Sequence, residues 1–386
     1  MRKLVSYYPA TVCFLPALLA ALSNVLGFES FLSSVLSRFF IGLISLIIIF
    51  FYFKRLYSLR GVDKVFLFCF LIFSFFIIFK SISFFLLSPP SYTHSDFKTY
   101  FSFFVTGSLF AFITSILVFG VSSVKEITNS FYSVTLFFCI LFVFFSEPDI
   151  FYGRFAFKSV NPIICGVISL FLFYSSLEKA KSNQEFLLGG VGIVFAITTL
   201  IMSASRGPFV ILFISLILVY VKDIKTIASL TVIACVSFFI FSYNIDLDSM
   251  EIFNRISETK DLKSTGRFDL FYNSFLAIID NPTLGCCLET PNLWIYPHNI
   301  ILESIMSAGI PLGGGMSLVM IYLFLSSVLG HKYDFVRLIY VASFLSSMAT
   351  GSIYINSYFW VSMGAIISIG NNFKNEKKTI NYNPTL

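Results

Sequence analysis

Arg206 and His298 are the two residues whose chemical type and surroundings most suggest a reaction. They lie in the polar strings Ser-Arg-Gly-Pro at 205–208 and Tyr-Pro-His-Asn at 296–299, within a chain that is otherwise strongly apolar. Ionisable residues are costly beside hydrocarbon, so those that occur there usually have a function. A guanidinium binds phosphate oxygens through paired hydrogen bonds, and an imidazole exchanges a proton near neutral pH.

Arg267 is a third candidate because it begins a predicted helix. Ser264 and Thr265 can cap this helix, and Asn281-Pro282 stops it. Its apolar residues recur at i, i+3 and i+4 spacing and form one stripe: Phe268, Phe271, Tyr272, Phe275, Leu276 and Ile279. A cation at a helix N-terminus is unfavourable unless the two together hold an anion such as a phosphate.

A second short helix is predicted over 297–309, with His298 and Asn299 in its first turn. His298, Arg206 and Arg267 would then lie at one membrane face. Together they suit the attack of a hydroxyl group on a carbon that carries a pyrophosphate leaving group. Each residue also has an ordinary interpretation, with Arg206 as an interfacial anchor and His298 as a loop histidine.

The composition predicts an all-α polytopic membrane protein. Hydrophobic residues make up 57% of the chain, 51 residues are Phe, and 12% are charged, against about 25% in ordinary soluble domains. Apolar runs that approach the length needed to cross about 30 Å of hydrocarbon recur throughout, which gives about twelve helices. They lie near 8–27, 38–53, 64–80, 100–120, 131–147, 161–177, 185–204, 208–221, 226–243, 313–329, 338–352 and 356–371.

The distribution of Lys and Arg orients these spans. Most of the 26 Lys and Arg residues fall on the inner side if the N-terminus is cytoplasmic, and the C-terminus is then also inside. The chain would form a single integral membrane domain, 1–386, with a large periplasmic loop at 242–312 between the ninth and tenth spans. Basic residues on the outer side suggest an anionic ligand there: Arg154, Lys158, Arg206, Arg255, Lys260, Lys263 and Arg267. Those at 255–263 could instead balance neighbouring acidic residues.

The ordered set of motifs resembles the bacterial O-antigen ligase and polymerase superfamily of polytopic glycosyltransferases. The resemblance covers roughly 150–330 and rests on these strings: Ser-Ala-Ser-Arg-Gly-Pro at 203–208, Thr-Gly-Arg at 265–267, Asn-Pro-Thr-Leu-Gly at 281–285, Pro-His-Asn at 297–299, Leu302-Glu303, Gly309 and Gly313. Arg154 with Asn161-Pro162 is a weaker match. Cys286-Cys287 departs from the pattern, because relatives often carry a glycine after the position of Gly285.

The resemblance implies a GT-C-like helical fold and glycosyl transfer without a metal, a nucleotide sugar or another cofactor. Arg206 and Arg267 would bind the pyrophosphate of an undecaprenyl-linked glycan donor. His298 would orient or deprotonate the acceptor hydroxyl. Further substrate contacts are expected from Arg154, Lys158, Arg255 and Asn299.

Polymerase and ligase remain alternatives within this resemblance. The polymerase joins one lipid-linked oligosaccharide to another, whereas the ligase attaches the glycan to the lipid A core. The Ser-Arg-Gly and Pro-His-Asn versions and the Phe content favour the polymerase. A flippase or other transporter is an alternative from another class, and it would need a buried polar path through the bilayer.

The expected location is the bacterial inner membrane, with the site facing the periplasm. The expected partners are undecaprenyl-pyrophosphate-linked oligosaccharides and the lipid bilayer, with a chain-length regulator as a further candidate and no nucleic acid.

Overall fold

The fold is built from apolar helices. The computed structural model describes residues 2–28, 30–59, 61–87, 97–148, 155–158, 160–220, 267–291, 293, 295–330 and 334–380. The first helices are α1 (Arg2–Ser6), α2 (Tyr8–Leu26), α3 (Ser30–Tyr52), α4 (Val62–Leu87), α5 (Phe97–Phe103), α6 (Phe110–Val121) and α7 (Val124–Phe145). A short antiparallel pair follows, formed by β1 (Glu147–Pro148) and β2 (Phe155–Ala156). The later helices are α8 (Pro162–Ala180), α9 (Phe186–Met202), α10 (Arg206–Tyr220), α11 (Arg267–Asp280), α12 (Ile300–Gly309), α13 (Gly315–Leu329), α14 (Asp334–Thr350) and α15 (Ser357–Ile380).

Among the described residues, seven helical stretches are long and apolar enough to cross a membrane. Three shorter apolar helices accompany them, at Phe186–Met202, Arg206–Tyr220 and Ser357–Ile369. A polytopic helical membrane protein is therefore confirmed. The span predicted near 226–243 lies outside the described residues, and the number of twelve spans and their orientation stay predictions.

The helix predicted to begin at Pro297 is wrong in its start. Asn299 is the N-cap of α12, and its side-chain oxygen accepts hydrogen bonds from the backbone N–H groups of Ile301 and Leu302, each at 3.1 Å. His298 has φ of 57°, in the left-handed region, so it cannot form part of a right-handed helix. His298 and Pro297 therefore precede the helix rather than occupy its first turn.

The helix α12 is not an isolated helix in a loop, because it continues into the next helix. A π-helical turn at Ile310–Gly314, which contains Pro311, connects it to α13. Together they form one interrupted helix, Ile300–Leu329, which is longer than the span predicted near 313–329. The helix that follows His298 is thus continuous with a helix long enough to span the membrane.

Close helix packing in the bundle depends on small residues. A Cβ atom at Gly364 on α15 would lie 2.7 Å from the carbonyl oxygen of Phe112 on α6. At Gly189 on α9 it would lie 2.8 Å from the carbonyl oxygen of Ser176 on α8. Since apolar burial gives little driving force between helices in lipid, such close backbone contacts stabilise membrane bundles.

Reporter fusions test the orientation. We expect a fusion after Lys181 to read cytoplasmic and a fusion after Asp280 to read periplasmic, because the Lys and Arg census puts these positions on opposite sides. Paired alkaline phosphatase and green fluorescent protein fusions at each site give the measurement. A cytoplasmic signal at Asp280 would contradict the orientation on which the periplasmic site depends.

Candidate functional site

Arg267 and His298 line one cavity of about 240 Å³. Its walls come from the middle of α2, the first halves of α3 and α8, the junction of α5 and α6, and the link between α14 and α15. Asn161, Tyr296 and Arg38 also line it. None of the described residues in its lining is an Asp or Glu, so the cavity presents positive charge without a carboxylate to neutralise it.

The turn that carries His298 is fixed on both sides of the imidazole. The Nδ2 group of Asn299 donates a hydrogen bond to the Met348 carbonyl at 3.2 Å, while its oxygen caps α12. The ring of Tyr296 lies edge-on to the imidazole, with 4.4 Å between the ring centroids. A left-handed residue held in this way indicates local strain maintained by its surroundings. The side-chain amide of Asn299 therefore serves to position its neighbour.

The surroundings of His298 favour the neutral imidazole. Burial lowers its pKa below the usual value of 6.5, a backbone group of Thr350 acts in the opposite direction, and the positive charge of Arg267 lowers the pKa further. Its Nδ1 atom is buried and has no hydrogen-bond partner among the described residues. A buried polar atom without a partner is uncommon and requires an explanation.

Arg267 is positioned by α11, the amphipathic helix predicted from the sequence. The helix begins at Arg267 and ends at Asp280, directly before the predicted stop. Its buried side consists of Leu270, Ser274, Ala277 and Ile278. The predicted aromatic stripe lies mainly on the exposed side, with Phe268 63% and Ile279 56% exposed. The predicted caps Ser264 and Thr265 lie outside the described residues.

Two sets of polar contacts attach this region to the rest of the helix bundle. Glu303 on α12 is fully buried and accepts hydrogen bonds from Ser352 Oγ and the Ile353 N–H, both at 2.9 Å. Lys80 on α4 donates to the carbonyls of Leu284 and Ser307 at 2.8 and 2.7 Å. These hydrogen bonds join α12 and the turn before it to α4 and to the link between α14 and α15, and so restrict where the histidine turn can lie.

Arg206 is the first residue of α10 and is half-buried. Ala204, two residues earlier, has φ of 43°, so this motif also contains a left-handed residue that is not glycine. Pro208 packs so closely on α8 that a Cβ atom at Gly166 would lie 2.7 Å from its ring. Arg206 is not among the residues that line the cavity of Arg267 and His298.

Residues 191–316 match the Wzy_C family model, which is described as O-antigen ligase. The matched segment contains Arg206, Arg267 and His298. This match supports membership of the O-antigen ligase and polymerase superfamily. Members of this superfamily act on lipid-linked oligosaccharides in a membrane. A search of curated proteins finds no match to the chain.

The remaining predicted site residues lie apart from the cavity or outside the described residues. Lys158 is exposed and lines a second cavity of about 230 Å³, together with Asn24 and Glu147. Arg154 and Arg255 lie outside the described residues.

The glycines of the superfamily motifs allow two chain segments to cross. Gly285 has φ of 66° and Gly309 has φ of 74°, and each lies against the backbone of the other's segment. The Cys286 N–H donates to the Met306 carbonyl at 3.0 Å, so the turn forms despite the altered sequence after Gly285. Cys286 and Cys287 are joined by a disulfide bond.

Gly309→Ala is expected to destabilise the protein. The new Cβ would overlap the Thr283 carbonyl, and φ of 74° is unfavourable for alanine by about 1–2 kcal/mol before the overlap is counted. Gly315→Ala is the matched control, because a Cβ there meets no atom within 4 Å and the backbone is helical. The measurement is the melting temperature of the purified variants. Equal melting temperatures would contradict the interpretation of this crossing.

Sequence analysis did not identify Arg38, which lines the cavity from α3. The available signal was a single arginine in an otherwise apolar segment, which is by itself a reason to suspect function. It was read only as the edge of a span.

Proposed function

We propose that the protein is an O-antigen polymerase at the periplasmic face of the bacterial inner membrane. It would transfer the growing glycan from undecaprenyl pyrophosphate to a new repeat unit that is itself linked to undecaprenyl pyrophosphate. The observation that carries the proposal is the shared cavity of Arg267 and His298, which is positively charged and has no carboxylate in its described lining. This arrangement supports recognition of an anionic leaving group beside a base.

In the proposed reaction, a hydroxyl oxygen of the acceptor sugar attacks the anomeric carbon of the donor glycan. The bond between that carbon and the pyrophosphate oxygen breaks, and undecaprenyl pyrophosphate leaves with the electron pair. His298 takes the proton of the acceptor hydroxyl, in the tautomer that leaves the Nδ1 lone pair available. Arg267 stabilises the charge that develops on the pyrophosphate.

The other predicted site residues take secondary roles in this proposal. Arg206 contacts the donor outside the cavity of Arg267 and His298. Arg154, Arg255 and Lys158 contribute positive charge toward the substrate on the periplasmic side, and a chain-length regulator is a proposed partner. Asn299 acts through His298, because its amide is already bonded to α12 and to Met348.

The ligase is the second candidate, because the matched family model is described as O-antigen ligase. The flippase alternative has less support, since the cavity is lined mainly from one end of the helix bundle rather than along its full length. The lipopolysaccharide pattern of a deletion strain separates polymerase from ligase. A single repeat unit on the core supports the polymerase, whereas a core without any repeat supports the ligase or a flippase and would overturn our assignment.

A further inference from the structure

Arg38 lies on α3, yet it lines the same cavity as Arg267 and His298. Its guanidinium is fixed by three hydrogen bonds. Nε donates to the Ser34 carbonyl at 3.3 Å, Nη2 donates to Ser34 Oγ at 2.7 Å, and Nη1 donates to Ser102 Oγ at 2.9 Å. The ring of Phe103 packs against the guanidinium, with its centroid 4.3 Å from Cζ. Three of the five N–H donors of arginine are thus used to set its direction.

The charge of Arg38 has no carboxylate partner among the described residues. Its hydrogen-bond partners are a backbone carbonyl and two hydroxyl groups, all of them neutral. Two buried cations of the described chain do have carboxylate partners, whereas Arg38 is half-buried and has none: Lys179 lies 2.7 Å from Glu185, and Arg337 lies 3.2 Å from Asp334. An unneutralised cation within a membrane helix is costly, so an anionic ligand would explain its presence.

The cavity has the charge and the size for a phosphate-bearing anion. Arg38 and Arg267 come from different walls, and the described lining has no acidic residue. Its volume of about 240 Å³ leaves room for a pyrophosphate group. On the outer side of α3, Val35, Phe39 and Phe40 are exposed, so a lipid chain attached to the anion could run along this helix.

We propose that Arg38 is a ligand-binding residue that holds a phosphate-bearing lipid in the cavity together with Arg267. The two N–H groups of Arg38 that its protein contacts leave unused would donate to phosphate oxygens. The identity of the lipid and of its glycan rests on the proposed function. The phosphate site itself is inferred from the charge and the lining of the cavity.

Binding of radiolabelled undecaprenyl pyrophosphate to the full-length protein in phosphatidylcholine nanodiscs tests this proposal. Arg38→Ala should raise the Kd roughly ten- to a hundredfold, because it removes charge-assisted hydrogen bonds. Arg38→Lys should also bind more weakly, since a point charge lacks the planar fork. Lys54→Ala is the matched control, as it removes an exposed cation just beyond the other end of α3 and should leave the Kd unchanged.

The competing lipid identifies the source of the phosphate. Displacement by unlabelled undecaprenyl pyrophosphate and not by phosphatidylglycerol supports the site as a donor site. Equal displacement by phosphatidylglycerol supports the phosphate site but overturns the proposed donor role. An unchanged Kd in a folded Arg38→Ala variant overturns the Arg38 proposal alone, provided the wild type binds and transfers. If Arg38→Ala does not fold, an unchanged Kd in Arg38→Lys overturns it instead.

Discussion

His298→Gln is expected to lower glycan transfer about 10²- to 10⁴-fold while the lipid-linked donor still binds. Proton removal from an acceptor hydroxyl contributes a factor of this size in characterised enzymes, and glutamine cannot take up the proton. The assay is polymer formation in membranes matched for protein level, with donor binding measured separately. Because glutamine keeps a polar side chain of similar length, loss of transfer without loss of binding would separate a base from a structural residue.

The pH dependence gives an independent measurement of the same role. His298 has a pKa below 6.5, so the neutral base predominates at pH 7 and becomes protonated only as the pH falls through that lower value. Transfer by the wild type should therefore fall on the acid side with a midpoint below 6.5. His331→Gln, at a histidine predicted on the cytoplasmic side, is the matched control. Full transfer by His298→Gln would show that this residue only positions its neighbours.

Arg267→Ala should lower transfer by about a hundredfold or more, through loss of stabilisation of the leaving pyrophosphate. Arg267→Lys should restore little, because an ammonium group cannot donate the paired hydrogen bonds of a guanidinium. The alanine variant should also shift the acid midpoint of any residual activity upward, since the charge of Arg267 lowers the pKa of His298. This shift is a readout that general misfolding would not produce.

Lys125→Ala is the control for that experiment. Its side chain is 75% exposed and its ion pair with Glu185 is at the surface, where such pairs contribute little. Wild-type polymer from Arg267→Ala at normal abundance would remove Arg267 from the proposed mechanism.

The helices could be predicted from the sequence because the relevant signals are local. The helical period of α11 followed from its apolar spacing, and its end followed from Asn281-Pro282. The sequence did not show whether its aromatic stripe is buried or exposed. The same period suits a helix that packs these residues on the protein and a helix that presents them outward. The start of α12 was wrong for a related reason, since Pro297 and Asn299 are both start signals and only the Asn299 cap is used.

The composition of the cavity could be predicted only in part. Arg267 and His298 come from neighbouring motifs, so their proximity was expected. Arg38 joins them through the packing of α3 against α5 and α6, and sequence spacing does not show which face of a long apolar helix meets a cavity. The side chain of Asn299 was expected at the substrate, yet both of its polar atoms are bonded to the protein.

Most residues that form the walls of the cavity lie outside the segment that matches the family model. The match begins at residue 191 and includes Arg267 and His298, whereas α2, α3, α8 and the junction of α5 and α6 contribute most of the walls from outside it. We therefore expect chimeras that exchange 191–316 between relatives to keep the sugar preference of the parent that supplies the remaining helices. On this view, one part of the gene encodes the reactive groups and another part encodes the helices that select the sugar. The selected sugar, and with it the serotype, would then change during evolution while the reaction stays the same.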